Sequence, residues 1–500
     1  MKSLKYILIT GCIITFLVGC ADSFLDKQPN GGYLSEEQLK ETAKWNPNVL
    51  LGQNYGITRT SFIINSGGSG NDHDDFGQKS VDIMSDVLSG DMALMSDDYG
   101  WFTDAASLTG NRSTQRRARM LWRYYFQVVK AANSIFDLVG GDGNVPEDKD
   151  NRIYYGQAKA MRAYSYFSLV NLYNQIYEVD KNAKSLPIYR SQLTTEAQGL
   201  STVDEVYSFI IEDLKESIEI LDKENYKRPI YSGLEIKSEV NRATAEGILA
   251  YVYLTKGDYA NAAKCALNVM REYPMLPYQN VTSTGFSNIA SGNWIWGIDL
   301  TKENTQGLPT FWGHMDFFTY SYSAAGCYKV CDLNLYNEIP ETDSRKDWFP
   351  ADFLHMPVWK FYNARRVHMG DRQWIDDEVM MRVEEMYLIV AESYTRMGGE
   401  SNLNMAKEVL AAFLVERDPT VAETVEGMTQ QQLLESIYFN WRIEMWGEGK
   451  GLLTMKRFKK SVTRGGNHYI YAGRTIPWDD SRLVFEIPEQ EVINNPMLNR

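Results

Sequence analysis

A scaffold of antiparallel helix pairs, about four of them, is the fold this sequence predicts, with long irregular loops and a few short strands. Three observations carry that prediction. Apolar residues recur at 3–4 spacing over several stretches of about twenty residues, which marks amphipathic helices. One helix–turn–helix pattern returns more than once along the chain. Between these stretches lie two tracts without helical period, residues 45–118 and 275–380.

"RMLWRYYFQVVKAANSIFDLV" (119–139) sets Leu121, Tyr125, Val128, Val129, Ala132, Ile135 and Phe136 on one face. "YYGQAKAMRAYSYFSLVNLYN" (154–174) does the same through Ala158, Met161, Ala163, Tyr166, Leu169 and Tyr173. "STVDEVYSFIIEDLKESIEILD" (201–222) opens with Ser201-Thr202-Val203-Asp204, a helix start, and carries Val206, Phe209, Ile210, Leu214, Ile218 and Leu221 on one side. "ATAEGILAYVYLTKGDYANAAKCALNVMREYP" (243–274) is the most specific stretch. Its Leu249, Ala250 and Tyr253, its Gly257-Asp258-Tyr259 turn, and then Ala262, Ala266 and Pro274 follow the tetratricopeptide repeat of about 34 residues. Small side chains at 250 and 262 let two antiparallel helices nearly touch, and Tyr253 fills the space beside them. "EEMYLIVAESYTRMGG" (384–399) repeats the first half, with Ala391, Tyr394 and Gly398 in the places of Ala250, Tyr253 and Gly257. A short insertion is expected before its second helix at Ala406–Leu414. "AMRAYSYF" (160–167) is a third copy through Ala163 and Tyr166, its second helix displaced to 203–221, and 119–139 belongs to a fourth pair. The fold class is thus mainly α: a tetratricopeptide-like scaffold over about 119–274 and 380–460, with a loop-rich face from about 45–118 and 275–380. "WIWGIDL" (294–300) reads as a short strand with Trp296 in the core. "WRIEMWGEGKG" reads as a helix packed on its neighbours and ending at Gly447, with buried ion pairs from Arg442 and Glu444.

The chain opens as an export signal. Lys2 and Lys5 precede an apolar core, Tyr6 to Leu17, shorter than the roughly 20 residues a membrane span takes. The signal ends Leu17-Val18-Gly19-Cys20, which resembles the bacterial lipoprotein signal, with cleavage before a lipidated Cys20. Acyl chains there tether the protein to a membrane that it does not span. Residues 1–19 hold two lysines and no acid, so their removal takes the formal charge from −14 to about −16. Such a surface disfavours nucleic acid and anionic lipid. Cys265, Cys327 and Cys331 remain inside the body, an odd count without a CxxC pair, which argues against a metal knuckle or redox motif. Cys327 and Cys331 either pair or stay as small buried thiols. Residues 20–500 show no Pro/Ser-rich linker or charge block at which to divide them, and read as a single domain.

No G-x-S-x-G elbow, H-E-x-x-H helix or phosphate loop is present, so no enzyme and no cofactor is expected. Asp97-Asp98, Asp376-Asp377 and Glu384-Glu385 read as solvated surface or helix starts, Glu384-Glu385 beginning a helix whose dipole favours negative charge. "NDHDDFG" (71–77) lacks the calcium-loop spacing, because Phe76 falls where an oxygen ligand belongs, and no metal is expected.

Several separate stretches, in order, resemble the SusD/RagB-like lipoproteins of Bacteroidetes. They are "CADSFLDKQPNGGYLSEEQL", "QAKAMRAYSYFSLVNLY", "RVEEMYLIVAESY", "NWRIEMWGEGKGLLTMKRF" (440–458) and the ending "FEIPEQEVINNPMLNR". The departures are Trp441 in place of an arginine, Leu453-Thr454 in place of Asp-Leu, and a longer loop after residue 174 without the usual glycine. The resemblance implies a non-enzymatic, glycan-binding lipoprotein on the outer face of the outer membrane. Its partners would be an oligosaccharide or polysaccharide and a SusC-like TonB-dependent transporter, which it would cover as a lid. It also implies that binding residues come from the loop before the first long helix and from the aromatic loop region, here 71–77, 97–112 and 308–322. Sugars bind flat aromatic faces for their C–H surfaces and polar side chains for their hydroxyls. Trp101, Tyr99, Trp312 and Tyr320 are therefore the expected platforms, and Asn71, Asp72 and Asp75 the polar contacts. The alternative is a helical-repeat scaffold that binds proteins or peptides and no glycan. Such a scaffold has no need of aromatic loops, and the aromatic wealth of 275–380 favours the glycan-binding reading.

Overall fold

The computed structural model describes residues 36–499 other than 45, 47, 68–71, 283–285, 303, 305–306, 362–367, 371 and 373. The export signal, Cys20 and Asn71 lie outside the described residues.

Helix α1 (Gln78–Ser89) falls within the tract expected to be loop, and every one of its residues is buried. Its period was hidden because its inward positions include charges: Lys79 pairs with Asp82 at 2.8 Å, and Asp86 accepts backbone N–H groups from Gly447 and Gly451 at 2.7 and 3.0 Å. The repeat array follows as α2 (Arg116–Leu138), α3 (Lys149–Tyr173), α4 (Val203–Lys223), α5 (Arg242–Lys256), α6 (Tyr259–Met270), α7 (Val383–Met397), α8 (Glu400–Val415) and α9 (Gln430–Glu444). Each helix packs on the next, and α7 also packs on α9. A final helix, α10 (Gly451–Phe458), lies on α1.

The caps explain where these helices begin. Thr202 and Glu205 form a capping box on α4, Thr429 and Gln432 one on α9, and the Asn241 side chain accepts the Thr244 N–H at 2.9 Å on α5. Helix α3 starts at Lys149, ahead of the expected 154, because the Asp148 carboxylate accepts the Asn151 N–H at 2.9 Å. The predicted close contacts are present: Ala250, Ala262 and Ala391 are all fully buried, and Gly257 takes a φ of 86° to turn α5 into α6. The expected insertion before the helix at Ala406–Leu414 is absent. Gly398 and Gly399, with φ of 67° and 80°, turn the chain so tightly that α8 begins at Glu400.

Four short strands carry the loop face. β1 (Met92–Leu94) pairs antiparallel with β3 (Lys329–Cys331), while β2 (Trp294–Ile298) pairs with β4 (Glu378–Arg382). Trp296 is in the core as expected, edge-on to Phe62 and Tyr164, and its indole N–H donates to the Ser238 carbonyl at 3.2 Å. Cys327 and Cys331 are free thiols. One acid pair departs from the surface reading: Asp376 and Asp377 are buried, Asp377 accepting the N–H groups of Ile289 and Leu300. Glu384 and Glu385 stand in the first turn of α7, the helix start expected of them, and are fully buried there.

Those buried glutamates belong to a charge cluster at the junction of repeats and loops. Glu444 at the end of α9 accepts from Arg382 at 2.6 Å, from Arg417 at 3.0 Å and from Arg345 at 3.1 Å. Glu448 takes Arg382 at 2.8 Å and Lys360 at 2.7 Å, Glu384 takes Arg417 at 3.3 Å, and Arg345 returns to Asp343 at 2.6 Å. Arg345, Lys360, Arg382 and Arg417 thus balance Asp343, Glu384, Glu444 and Glu448. Burial works against the charge of Glu444, but Arg417, Arg382 and Arg345 reverse this and hold its carboxyl well below the usual range. Burial likewise opposes the charge of Glu448, and Arg382 and Lys360 bring it down to about 2.

Removing one partner from such a cluster leaves buried charge uncompensated, at about 3–5 kcal/mol. Glu444→Gln is therefore expected to lower stability by about that amount in denaturant unfolding, and a loss below about 1 kcal/mol would contradict the cluster's role. The pH dependence has a fixed sign. A carboxyl depressed on folding stabilises fully above its unfolded pKa, near 4.5, and its contribution fades as pH falls towards about 2. The stability gap between the wild type and Glu448→Gln is expected to be full at about pH 6 and clearly smaller at about pH 3.

Candidate functional site

The loop 95–102 leaves β1, and the loop 316–328 enters β3. Pairing of these two strands, Met92 opposite Cys331 and Leu94 opposite Lys329, holds the loops side by side. The Cys327 thiol donates to the Asp98 carbonyl at 3.0 Å and closes the gap. Within the first loop Tyr99, Gly100 and Phe102 take φ of 62°, 73° and 64°. Left-handed backbone at tyrosine and phenylalanine is strained and persists only where neighbours enforce it. Here Phe102 is fully buried under the Arg117 guanidinium, 5.2 Å from its ring centre. That anchor turns Tyr99 outward, 62% exposed.

Trp101 is half-buried and lies flat on His73, ring centres 5.3 Å apart and planes within 10°. Tyr322 meets this stack edge-on, at 6.1 Å from Trp101 and 5.7 Å from His73, and meets Tyr99 at 5.3 Å. Its hydroxyl is hydrogen-bonded to the His73 ring. Beneath, His314 stacks on Tyr322 at 4.9 Å and on Phe76 at 5.3 Å. Such pairs contribute about 0.5–1.5 kcal/mol each beyond the area they bury. Burial and the neighbouring Lys329 push the His314 imidazole well below its usual pKa, so it is neutral. Lys329 donates to its Nδ1 at 3.1 Å, which leaves the proton on Nε2, 2.6 Å from the His73 carbonyl. The column Phe76–His314–Tyr322 is thus a rigid pillar under a surface of Trp101, His73 and Tyr99.

Tyr320 extends that surface. It is 44% exposed, and the exposed Arg372 guanidinium lies 4.0 Å from its ring centre. Burial raises the Tyr322 hydroxyl pKa, while Arg372 is close enough to oppose this electrostatically. At the other rim Asp72 is half-buried, 3.7 Å from Arg116.

Two of the expected contacts point elsewhere. Trp312 is fully buried, packs edge-on against Phe311 and Phe361, and donates its indole N–H to the Asp376 carbonyl at 2.7 Å. It offers no face to a ligand; its Gly-containing neighbourhood is a short helix, Phe311–Met315, that dives into the core. Asp75 is buried and accepts the Ser66 N–H at 2.9 Å and its hydroxyl at 2.7 Å, so it shapes the chain. His73 and Arg372 join the surface, and buried Tyr322 supports it, beyond the residues the sequence pointed to. His73 sat inside the quoted "NDHDDFG", Tyr322 lies two residues from Tyr320, and Arg372 had no sequence signal. Among the described residues no group of three His, Cys, Asp or Glu side chains is placed to hold a metal, and no helix is long and apolar enough to cross a membrane.

Comparison with known proteins bears on this arrangement. Residues 73–254 match a SusD-like family described as starch-binding and associating with the outer membrane, and residues 336–498 match the SusD family, SusD/RagB. SusD-like protein P2 of Formosa agariphila is 24% identical over 92% of this chain and 91% of its own. A crystal structure of a SusD-like carbohydrate binding protein from Bacteroides vulgatus superposes with a TM-score of 0.73, at 21% identity over 90% of this chain and 97% of that one. One of a SusD superfamily protein from Bacteroides thetaiotaomicron gives 0.73 at 18% identity, over 93% and 99%. With SusD-like family models matching residues 73–254 and 336–498, the greater part of the chain, the chain belongs to the SusD/RagB-like family.

Proposed function

We propose that this protein captures oligosaccharides at the cell surface, on the platform formed by Tyr99, Trp101 and Tyr320. Cys20 tethers it to the outer membrane on the exterior side. It delivers its ligand to a SusC-like TonB-dependent transporter, over which it sits as a lid. It performs no chemistry on the glycan. The observation that carries this reading is the Trp101–His73 stack beside exposed Tyr99, a flat aromatic surface held from below by Tyr322 and His314. Pyranose C–H faces lie on such surfaces, while Asp72 and Arg372 at the rim suit hydroxyl groups. An acidic body, formal charge −14 over the whole chain, suits neutral glycans better than anionic ones. Membership of a family described as starch-binding and outer-membrane-associated supports the same reading.

The test is affinity electrophoresis or calorimetry of the lipid-free protein (residues 21–500) against plant, host and fungal polysaccharides. Losing one aromatic platform removes about 1.5–3 kcal/mol, roughly tenfold or more in affinity. Tyr99→Ala and Trp101→Ala are each expected to weaken binding by that factor, with Tyr99→Ala leaving the melting temperature unchanged. Trp312→Ala acts differently: it opens the core and is expected to cost about 3–5 kcal/mol of stability. Full binding in both Tyr99→Ala and Trp101→Ala overturns the placement of the site, and no binding to any polysaccharide overturns the glycan reading.

A further inference from the structure

A cavity of about 110 Å³, sharing no lining residue with the aromatic surface, lies between the repeat helices and the α1–α10 pair. Its walls are apolar for most of their extent: Phe167 of α3, Ile248 of α5, Trp296 of β2, Met380 and Met381 of β4, and Leu452 of α10. Ser168, Asn171, Lys450 and Leu453 also line it and are partly exposed, which marks its mouth. A volume on the order of 100 Å³ with such walls has room for a molecule the size of a six-membered ring.

Two polar groups inside it are underused. The Tyr164 side chain lines the cavity and is partly exposed, and its hydroxyl makes no hydrogen bond among the described residues. Lys456 is buried, and its ammonium donates to the Leu483 carbonyl at 2.9 Å but forms no ion pair with a carboxylate among the described residues. An ammonium has three donors, so two remain. The other charge on the wall, Asp82, is already neutralised by Lys79 at 2.8 Å and accepts from Gln78 at 3.0 Å. Lys450 at the mouth adds a second positive group, 3.8 Å from Glu385.

We propose that this cavity is a binding site for a small monocarboxylate with an apolar body, its head at Lys456 and its body between Phe167, Trp296 and Met381. Burial, only partly opposed by Asp180, brings the Lys456 pKa down to about 7, so a carboxylate beside it would favour the charged form. The Tyr164 hydroxyl, which burial keeps protonated, supplies a donor within the same cavity. This site is separate from the aromatic surface and does not depend on glycan binding.

Titration of the full lipid-free protein with sodium benzoate, and with benzyl alcohol as an uncharged probe of the same size, tests it by calorimetry and ligand-observed NMR. Saturable benzoate binding is expected. Lys456→Met is expected to weaken benzoate at least tenfold and leave benzyl alcohol unchanged, since the methionine keeps the length and removes the charge. Ser168→Phe fills the mouth and is expected to abolish both. The melting temperature of each variant shows that it is folded. Absence of saturable benzoate binding overturns the proposal, as does benzoate binding that Lys456→Met leaves intact.

Discussion

The carboxylate of Glu444, held by three arginines from three different parts of the chain, is the constraint on which the rest of this structure depends. Arg382 comes from the strand that opens α7, Arg417 from the turn after α8, and Arg345 from the loop face. A helical repeat array is held together by neighbour contacts alone and has no intrinsic reason to carry a large loop face. The cluster provides one. It is expensive to desolvate and therefore tolerates only an arrangement in which all its members are paired. Loop 343–360 must consequently lie against α7 and α9 in one position.

From that junction a continuous chain of contacts reaches the surface. Lys360 binds Glu448 and the Glu444 and Trp446 carbonyls, and its neighbour Phe361 packs against Phe311 and Trp312. Trp312 fixes the short helix that carries His314, and His314 supports Tyr322, against which Tyr99, Trp101 and His73 rest. Trp312 thus serves the surface without belonging to it. A ligand that meets a surface already fixed in place does not bear the cost of ordering it.

The scaffold was legible in the sequence because helix packing leaves a local trace. Ala250, Tyr253 and Gly257 sit at fixed offsets, and Ala391, Tyr394 and Gly398 repeat them. Helix α1 was not legible, because Lys79, Asp82 and Asp86 are buried by partners distant in sequence and spoil the apolar period. The loop face was legible only in composition. Trp101 and Trp312 both stand beside glycines and polar residues, yet one lies on a histidine at the surface and the other in the core. What separates them is tertiary: the β1–β3 pairing presents the first, and the Asp376 carbonyl receives the second. The same holds for "NDHDDFG", where Asp75 turns inward to Ser66 and His73 turns outward to Trp101.

The central claim is that a glycan contacts the loops 97–102 and 318–322 over their rigid support, while the repeat helices act as scaffold. Hydrogen exchange followed by mass spectrometry, with and without the most tightly bound polysaccharide, tests it most directly. The account predicts slower exchange in those two loops on binding, and unchanged exchange in the outer helices at 259–270 and 400–415. Protection confined to those helices, with both loops unchanged, would contradict it.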